Sequence, residues 1–229
     1  YRDPVVARNV SKSDFRIKDL MNYTKPVSLY LVVPPSDIDR MNPVFRVIVE
    51  LVYRRNVEKM EFDIGKKDIK NNRFRLLMLM DEFPGLGRLD AFERALAYIA
   101  GYKITAMLIC QGINQLNRIY TQYNSLTDNC HVRVFHTPND ELTPKYISGL
   151  IAQKTVRTKN ISYGGALINL GANNVSYNET GRSLMTPDEI TTMPKTDEIV
   201  FTAGNHPIMA KKITWYDNPD FQTRPTPAP

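Results

Sequence analysis

Residues 76–80 (LLMLM) form an unbroken apolar run, and they deliver two adjacent carboxylates, Asp81 and Glu82, at their end. A half-solvated strand alternates polar and apolar residues, so a continuous run predicts a strand covered on both faces, as in a parallel sheet. Residues 104–110 (ITAMLIC) read as a second buried strand, and Gln111 follows it. Between the two, Leu89, Phe92, Leu96 and Ile99 line one face of a helix over 90–100, with Gly101 placed as its C-terminal cap. Strand, helix and strand at this spacing predict an α/β fold, a mostly parallel sheet with flanking helices and right-handed crossovers.

The rest of the chain fits around that unit. Residues 27–33 (VSLYLVV), closed by Pro34 and Pro35, predict a buried strand and its stop. Asn42 as cap and Pro43 at the first helical position predict a helix running to about Lys59, with Val44, Val47, Ile48, Leu51 and Val52 on its apolar face. Residues 61–73 are polar and charged and predict a mobile surface loop. A short helix at 114–120, a strand at 131–136 and a helix at 139–150 follow. Residues 153–180, rich in Asn, Thr, Ser and Gly, predict an exposed hairpin. Thr186-Pro187-Asp188-Glu189 carries a capping-box signature for a short helix. Residues 198–202 and 208–215 flank Gly204-Asn205-His206-Pro207 and predict a C-terminal hairpin. Residues 1–222 are expected to form one domain, and 223–229 (TRPTPAP) a disordered proline-rich tail.

Composition narrows the function. With 42% hydrophobic residues among 229, the chain can bury one sizeable core, yet no apolar run approaches the roughly 20 residues that cross a bilayer. No secretory signal is visible, which places the chain as given in the cytosol. Cys110 falls inside a strand-like run, and the two cysteines read as reduced and structural. The net charge of +6 lies entirely in residues 1–75, which hold 16 Lys/Arg against 10 Asp/Glu. A basic half offers a face to nucleic acid or simply a solvated surface. His131, His136 and His206 have no metal-ligand spacing.

The chemistry therefore converges on two strand ends. Ligands of open α/β sheets bind at the C-terminal edge of the strands. In a P-loop ATPase the first carboxylate of such a pair helps hold Mg²⁺ on the nucleotide phosphates, and the second polarises the attacking water. Gln111, at the same edge, offers an amide to sense or position the terminal phosphate. The bland alternatives are a solvated strand end for Asp81 and Glu82 and a turn residue for Gln111.

The blocks 1–20 (YRDPVVARNVSKSDFRIKDL), 77–89 (LMLMDEFPGLGRL), 108–116 (LICQGINQL) and 182–194 (RSLMTPDEITTMP), with a closing segment at 198–221, resemble consecutive motifs of TraG-like coupling proteins of conjugation and type IV secretion. The resemblance implies the C-terminal part of a RecA-like P-loop NTPase domain that uses ATP and Mg²⁺. It assigns Asp81 and Glu82 to the Walker B acids and Gln111 to the motif glutamine. It further implies a homo-hexameric motor at the cytoplasmic face of the bacterial inner membrane. That motor would drive DNA or protein substrates, relaxase and effectors among them, to the channel components. Two departures stand out. No Gly-x-x-x-x-Gly-Lys-Ser/Thr occurs in the chain, so the phosphate cradle, like the transmembrane helices, is expected upstream and the isolated piece is expected to be inactive. Residues 97–100 (AYIA) lack the arginine finger of some relatives, and Arg94 is a poor substitute. The rival readings are a non-catalytic docking module for substrate or channel components and, third, a helicase or DNA pump of another family.

Overall fold

The computed structural model describes residues 4–58, 72–163 and 173–224. The chain divides into two compact units, Tyr1–Gln111 with Gln115–Asn129, and Gly112–Asn114 with Cys130–Pro229.

In the first unit, helices α1 (Pro4–Asn9), α2 (Asp19–Asn22) and α3 (Ile38–Val57) precede strand β1 (Leu76–Met80). A 3₁₀ turn (Phe83–Leu86), helix α4 (Asp90–Ala95) and a second 3₁₀ turn (Ile99–Tyr102) then cross over to β2 (Ile104–Leu108). The two strands pair in parallel, Leu76 opposite Ile104 through Met80 opposite Leu108, as the apolar runs predict. Helices α5 (Ile113–Tyr120) and α6 (Leu126–Asn129) follow. Met78 and Met80 point into a core with Ile104, Phe83, Phe92, Ile99, Tyr120 and Leu126. Val49, Val52 and Tyr53 of α3 and Met21 of α2 close that core. Its centre is aromatic. Phe92 lies 5.8 Å from Tyr53, edge to face, and 6.1 Å from Phe83, contacts worth about 0.5–1.5 kcal/mol each beyond area burial.

The strands are covered on one face and not on two. Leu77 and Leu79 remain 57% and 56% exposed, and Met107 of β2 is exposed beside them. The strand expected at 27–33 is an extended segment with no ladder, and Tyr30 and Val32 are 82% and 87% exposed. Both departures have one cause: among the described residues no strand pairs with 27–33 and no element packs on the Leu77 face. An apolar run states that surface must be covered but not what covers it.

Helix α3 starts a turn earlier than Pro43 suggests, led in by the 3₁₀ turn Pro35–Asp37, and Pro43 lies inside it. Asn42 does not cap; its side-chain amide donates to the Gly85 carbonyl at 3.0 Å. Helix α4 stops at Ala95, and the left-handed residue that ends the following turn is Lys103 (φ 63°), not Gly101. Most of the loop predicted at 61–73 lies outside the described residues. Its end is not loose: Asn72 is buried and donates to the carbonyls of Asn56 and Tyr102.

In the second unit, β3 (Val132–His136) precedes α7 (Leu142–Leu150), the strands β4 (Gln153–Tyr163) and β5 (Asn173–Ser183), and α8 (Pro187–Thr191). Strands β6 (Asp197–Thr202) and β7 (Ile208–Lys211) and helix α9 (Pro219–Gln222) complete it. β6 pairs antiparallel with both β3 and β7, and β4 pairs antiparallel with β5 over its whole length. Among the described residues the parallel part of the α/β fold is thus the β1–β2 pair, and the other ladders are antiparallel. The predicted hairpins at 153–180 and after 198 are present, and α8 carries its capping box, with Thr186 and Glu189 bonded reciprocally. Ile147, Ile151, Ile190, Met193, Ile199 and Phe201 form this unit's core. The tail expected at 223–229 falls largely outside the described residues. Among the described residues no helix is long and apolar enough to cross a membrane.

Candidate active site

The ladder of β1 and β2 continues past the strand ends. The Ile109 amide donates to the Met80 carbonyl at 3.1 Å, and the Phe83 amide donates to the Ile109 carbonyl at 2.9 Å. Both strands are therefore in register where their polar residues emerge, at the C-terminal edge. Between Met80 and Phe83 the chain turns sharply, because Phe83 and Pro84 bury into the core and pull the backbone down. Glu82 takes up the turn in the left-handed region, φ 52° and ψ 48°. For a residue with a Cβ this costs about 1–2 kcal/mol.

The side chain that this turn presents is held. Gln111 Nε2 donates to Glu82 Oε2 at 2.9 Å, and Gln115 Nε2, on the first turns of α5, donates to Glu82 Oε1. The Gln111 backbone N–H donates to Gln115 Oε1 at 3.1 Å, which closes a ring of three residues. Glu82 and Gln111, both predicted, are brought together. Gln115 was not predicted. Its signal was the four-residue spacing from Gln111, which places it one helical turn on, but a glutamine in a short helix carries no mark of a site.

Asp81 is exposed and makes no hydrogen bond or ion pair among the described residues. Its carboxylate is uncommitted, unlike that of Glu82. Arg94 lies exposed in the last turn of α4 and bonds neither acid.

Gly112, which follows Gln111, meets the start of α7 within the second unit. A Cβ there would lie 2.7 Å from Asp140 Oδ2 and 3.2 Å from Thr143 Oγ1. Asp140 Oδ1 accepts from the backbone of Leu142 and Thr143 and from Asn114 Nδ2, at 2.9, 2.8 and 3.1 Å. The Ile113 N–H donates to Thr143 Oγ1 at 3.0 Å. Burial alone would raise the Asp140 carboxyl, but the hydrogen bonds from Thr143 and Leu142 outweigh it and hold the group below its usual range.

His131, His136 and His206 belong to the second unit. His136 sits on β3 with Nδ1 3.7 Å from Glu198, its pKa lowered by burial and by Lys212 against the pull of Glu198. Cys110 is exposed, contrary to the expectation of a buried thiol, because β2 ends at Leu108. Cys130 is half-buried, and burial pushes its thiol up.

The sequence profile of the family described as Type IV secretory system Conjugative DNA transfer matches residues 1–228. The chain belongs to that family of coupling proteins of conjugation and type IV secretion. It is 42% identical to the conjugal transfer protein TraG of Escherichia coli over 247 residues, covering 100% of this chain and 39% of that protein. Protein VirD4 of Agrobacterium fabrum is 32% identical over 220 residues, 95% of this chain and 31% of that protein. The chain thus spans well under half the length of these relatives. Among solved structures it resembles the unbound form of the bacterial conjugative coupling protein TrwBdeltaN70, with TM-score 0.65 and 17% identity, over 86% of this chain and 43% of that one. The plasmid coupling protein TrwB in complex with ADP and Mg²⁺ gives TM-score 0.64 and 16% identity over the same shares. At such identity the likeness defines the fold, that of a RecA-like P-loop NTPase segment.

Proposed function

We propose that this chain supplies the acidic part of an ATP-hydrolysing site in a motor that drives DNA or protein substrates, such as a relaxase or effectors, to a type IV secretion channel. The observation that carries the reading is the Glu82 carboxylate, held at the C-terminal edge of a parallel strand pair by an amide from the neighbouring strand end. A solvated strand end has no reason to adopt left-handed backbone and two amide partners at once.

Bound Mg²⁺ and ATP would supply an electrophilic terminal phosphate and the charge that steadies it. The residues present fit that pair in part: Asp81 has an uncommitted carboxylate for the metal side, but no phosphate cradle occurs in residues 1–229. The cradle belongs to the remainder of a longer polypeptide, in keeping with the 39% share of the TraG relative that this chain spans. The bare apolar residues Leu77, Leu79 and Met107 and the unpaired segment 27–33 are surface that such a remainder would cover. Within the chain, Glu82 orients the attacking water and takes its proton, and Gln111 reports the terminal phosphate to the strand end. A hexamer at the cytoplasmic face of the inner membrane completes the proposal.

In the full-length protein, Glu82→Gln should keep Mg²⁺–ATP affinity within about threefold and lower kcat by about 100-fold or more. A variant that turns over ATP within about threefold of wild type overturns the reading.

A further inference from the structure

We infer that Gln115 is a positioning residue for the Glu82 carboxylate, an inference that rests on the hydrolytic reading above. An ionised carboxylate only accepts hydrogen bonds, so both amides that reach Glu82 must present their NH₂ groups. For Gln115 the orientation is fixed independently: its Oε1 accepts the Gln111 backbone N–H, and this leaves Nε2 aimed at Glu82. One side chain therefore does two things. It fixes one carboxylate oxygen, and it fixes the backbone from which Gln111 reaches the other.

The bracket is rigid because its base is buried. Leu116, next to Gln115, and Tyr120, further along α5, are both core residues. Tyr120 stacks on Phe83, the residue that follows Glu82, with ring centroids 5.6 Å apart. Glu82 and Gln115 are thus mounted on the same aromatic contact, and the distance between them is set by packing. Removing the Gln115 amide leaves the Glu82 carboxylate on Gln111 alone, free to rotate about its own side chain. Binding of nucleotide does not need that orientation; transfer of a proton from water does, and misplacement of about 1 Å costs about 100-fold.

The test uses the full-length protein. Gln115→Ala is expected to lower kcat for ATP hydrolysis about 10- to 100-fold, with the dissociation constant for Mg²⁺–ATP, measured by calorimetry, within about threefold. Gln115→Glu keeps the length but sets a carboxylate against Glu82, and should lose at least as much. A second readout needs no nucleotide: melting temperatures of Gln115→Ala, Glu82→Ala and the double variant should be non-additive, because the two changes break one contact. Wild-type turnover in Gln115→Glu, or additive melting shifts, overturns the inference. Failure of the hydrolytic reading looks different, since there Glu82→Gln itself retains turnover. If Glu82→Gln is inactive and Gln115→Ala is fully active, the reading stands and the role of Gln115 falls.

Discussion

The rings of Phe83 and Tyr120 lie 13° from parallel, and their contact ties the turn that carries Glu82 to the helix that carries Gln115. The Tyr120 hydroxyl extends the tie: it accepts the Leu89 N–H at 3.0 Å and donates to the Gly87 carbonyl at 3.2 Å. The loop between β1 and α4 is pinned at Phe83, Gly87 and Leu89 by one side chain.

Tyr120→Phe should therefore cost about 1 kcal/mol at neutral pH, the net value of a hydrogen-bonded pair in a folded chain. Burial pushes the Tyr120 phenol up to about 12, only partly offset by the Leu89 hydrogen bond. The fold favours the neutral form, so this contribution is whole below the unfolded tyrosine value of about 10 and is lost as pH rises from there toward about 12. Urea unfolding between pH 7 and 11 should show an alkaline loss of stability that Tyr120→Phe reduces. An identical alkaline slope in both proteins would contradict the assignment.

The left-handed backbone at Glu82 makes a second measurable claim. Glu82→Ala and Glu82→Gly both remove the carboxylate and its two amide contacts, but only glycine relieves the positive φ. The glycine variant should be the more stable of the two by about 1–2 kcal/mol. Equal denaturation midpoints would mean that the turn relaxes at no cost when the side chain goes.

How much of this was written in the sequence differs from residue to residue. The parallel pair was readable because an apolar run such as 76–80 with no alternation has few other uses, and Asp81 and Glu82 were readable because they end it. Residues 27–33 misled because their β-branched, apolar character reports a need for cover, while a strand also needs a ladder partner and none pairs with them among the described residues. Gln115 was hidden for another reason. Its role depends on a bond to a residue 33 positions earlier, and local spacing says nothing about such a partner. The left-handed turn was equally silent, since Glu is not a residue that announces positive φ.

Gly112 should tolerate no side chain. Asp140 is committed to three donors through Oδ1, so it yields poorly to a Cβ 2.7 Å from Oδ2, and Gly112→Ala should cost about 1–3 kcal/mol. Added to Asp140→Ala, the same change should cost much less, and equal costs in the two backgrounds would refute the contact. Asp140 also sets an acid limit. Its carboxyl is held below the unfolded aspartate value of 3.8, so its contribution is present above that value and drains away as pH falls through it. Asp140→Asn should flatten the stability profile below about pH 4.

The last prediction separates the two acids. Asp81 is exposed and uncommitted, whereas Glu82 accepts from Gln111 and Gln115, and this difference in commitment should appear as a difference in metal dependence. A carboxylate that works through the metal loses its effect when the charge is removed, so in the full-length protein Asp81→Asn should weaken Mg²⁺–ATP binding. The loss expected for a group near the metal is about 10- to 100-fold. Binding of ATP without Mg²⁺ should be unchanged or slightly stronger, because a negative charge has been taken from beside the phosphates. Glu82→Gln should show neither effect and lose turnover alone. Calorimetric titrations with ATP across a range of Mg²⁺ concentrations measure all four quantities. Because Asp81 makes no contact that supports the fold, Asp81→Asn should leave stability within about 0.5 kcal/mol of wild type, so a change in affinity would not reflect unfolding. If Asp81→Asn binds Mg²⁺–ATP as tightly as wild type, the first acid is a solvated strand end and the metal is held from elsewhere.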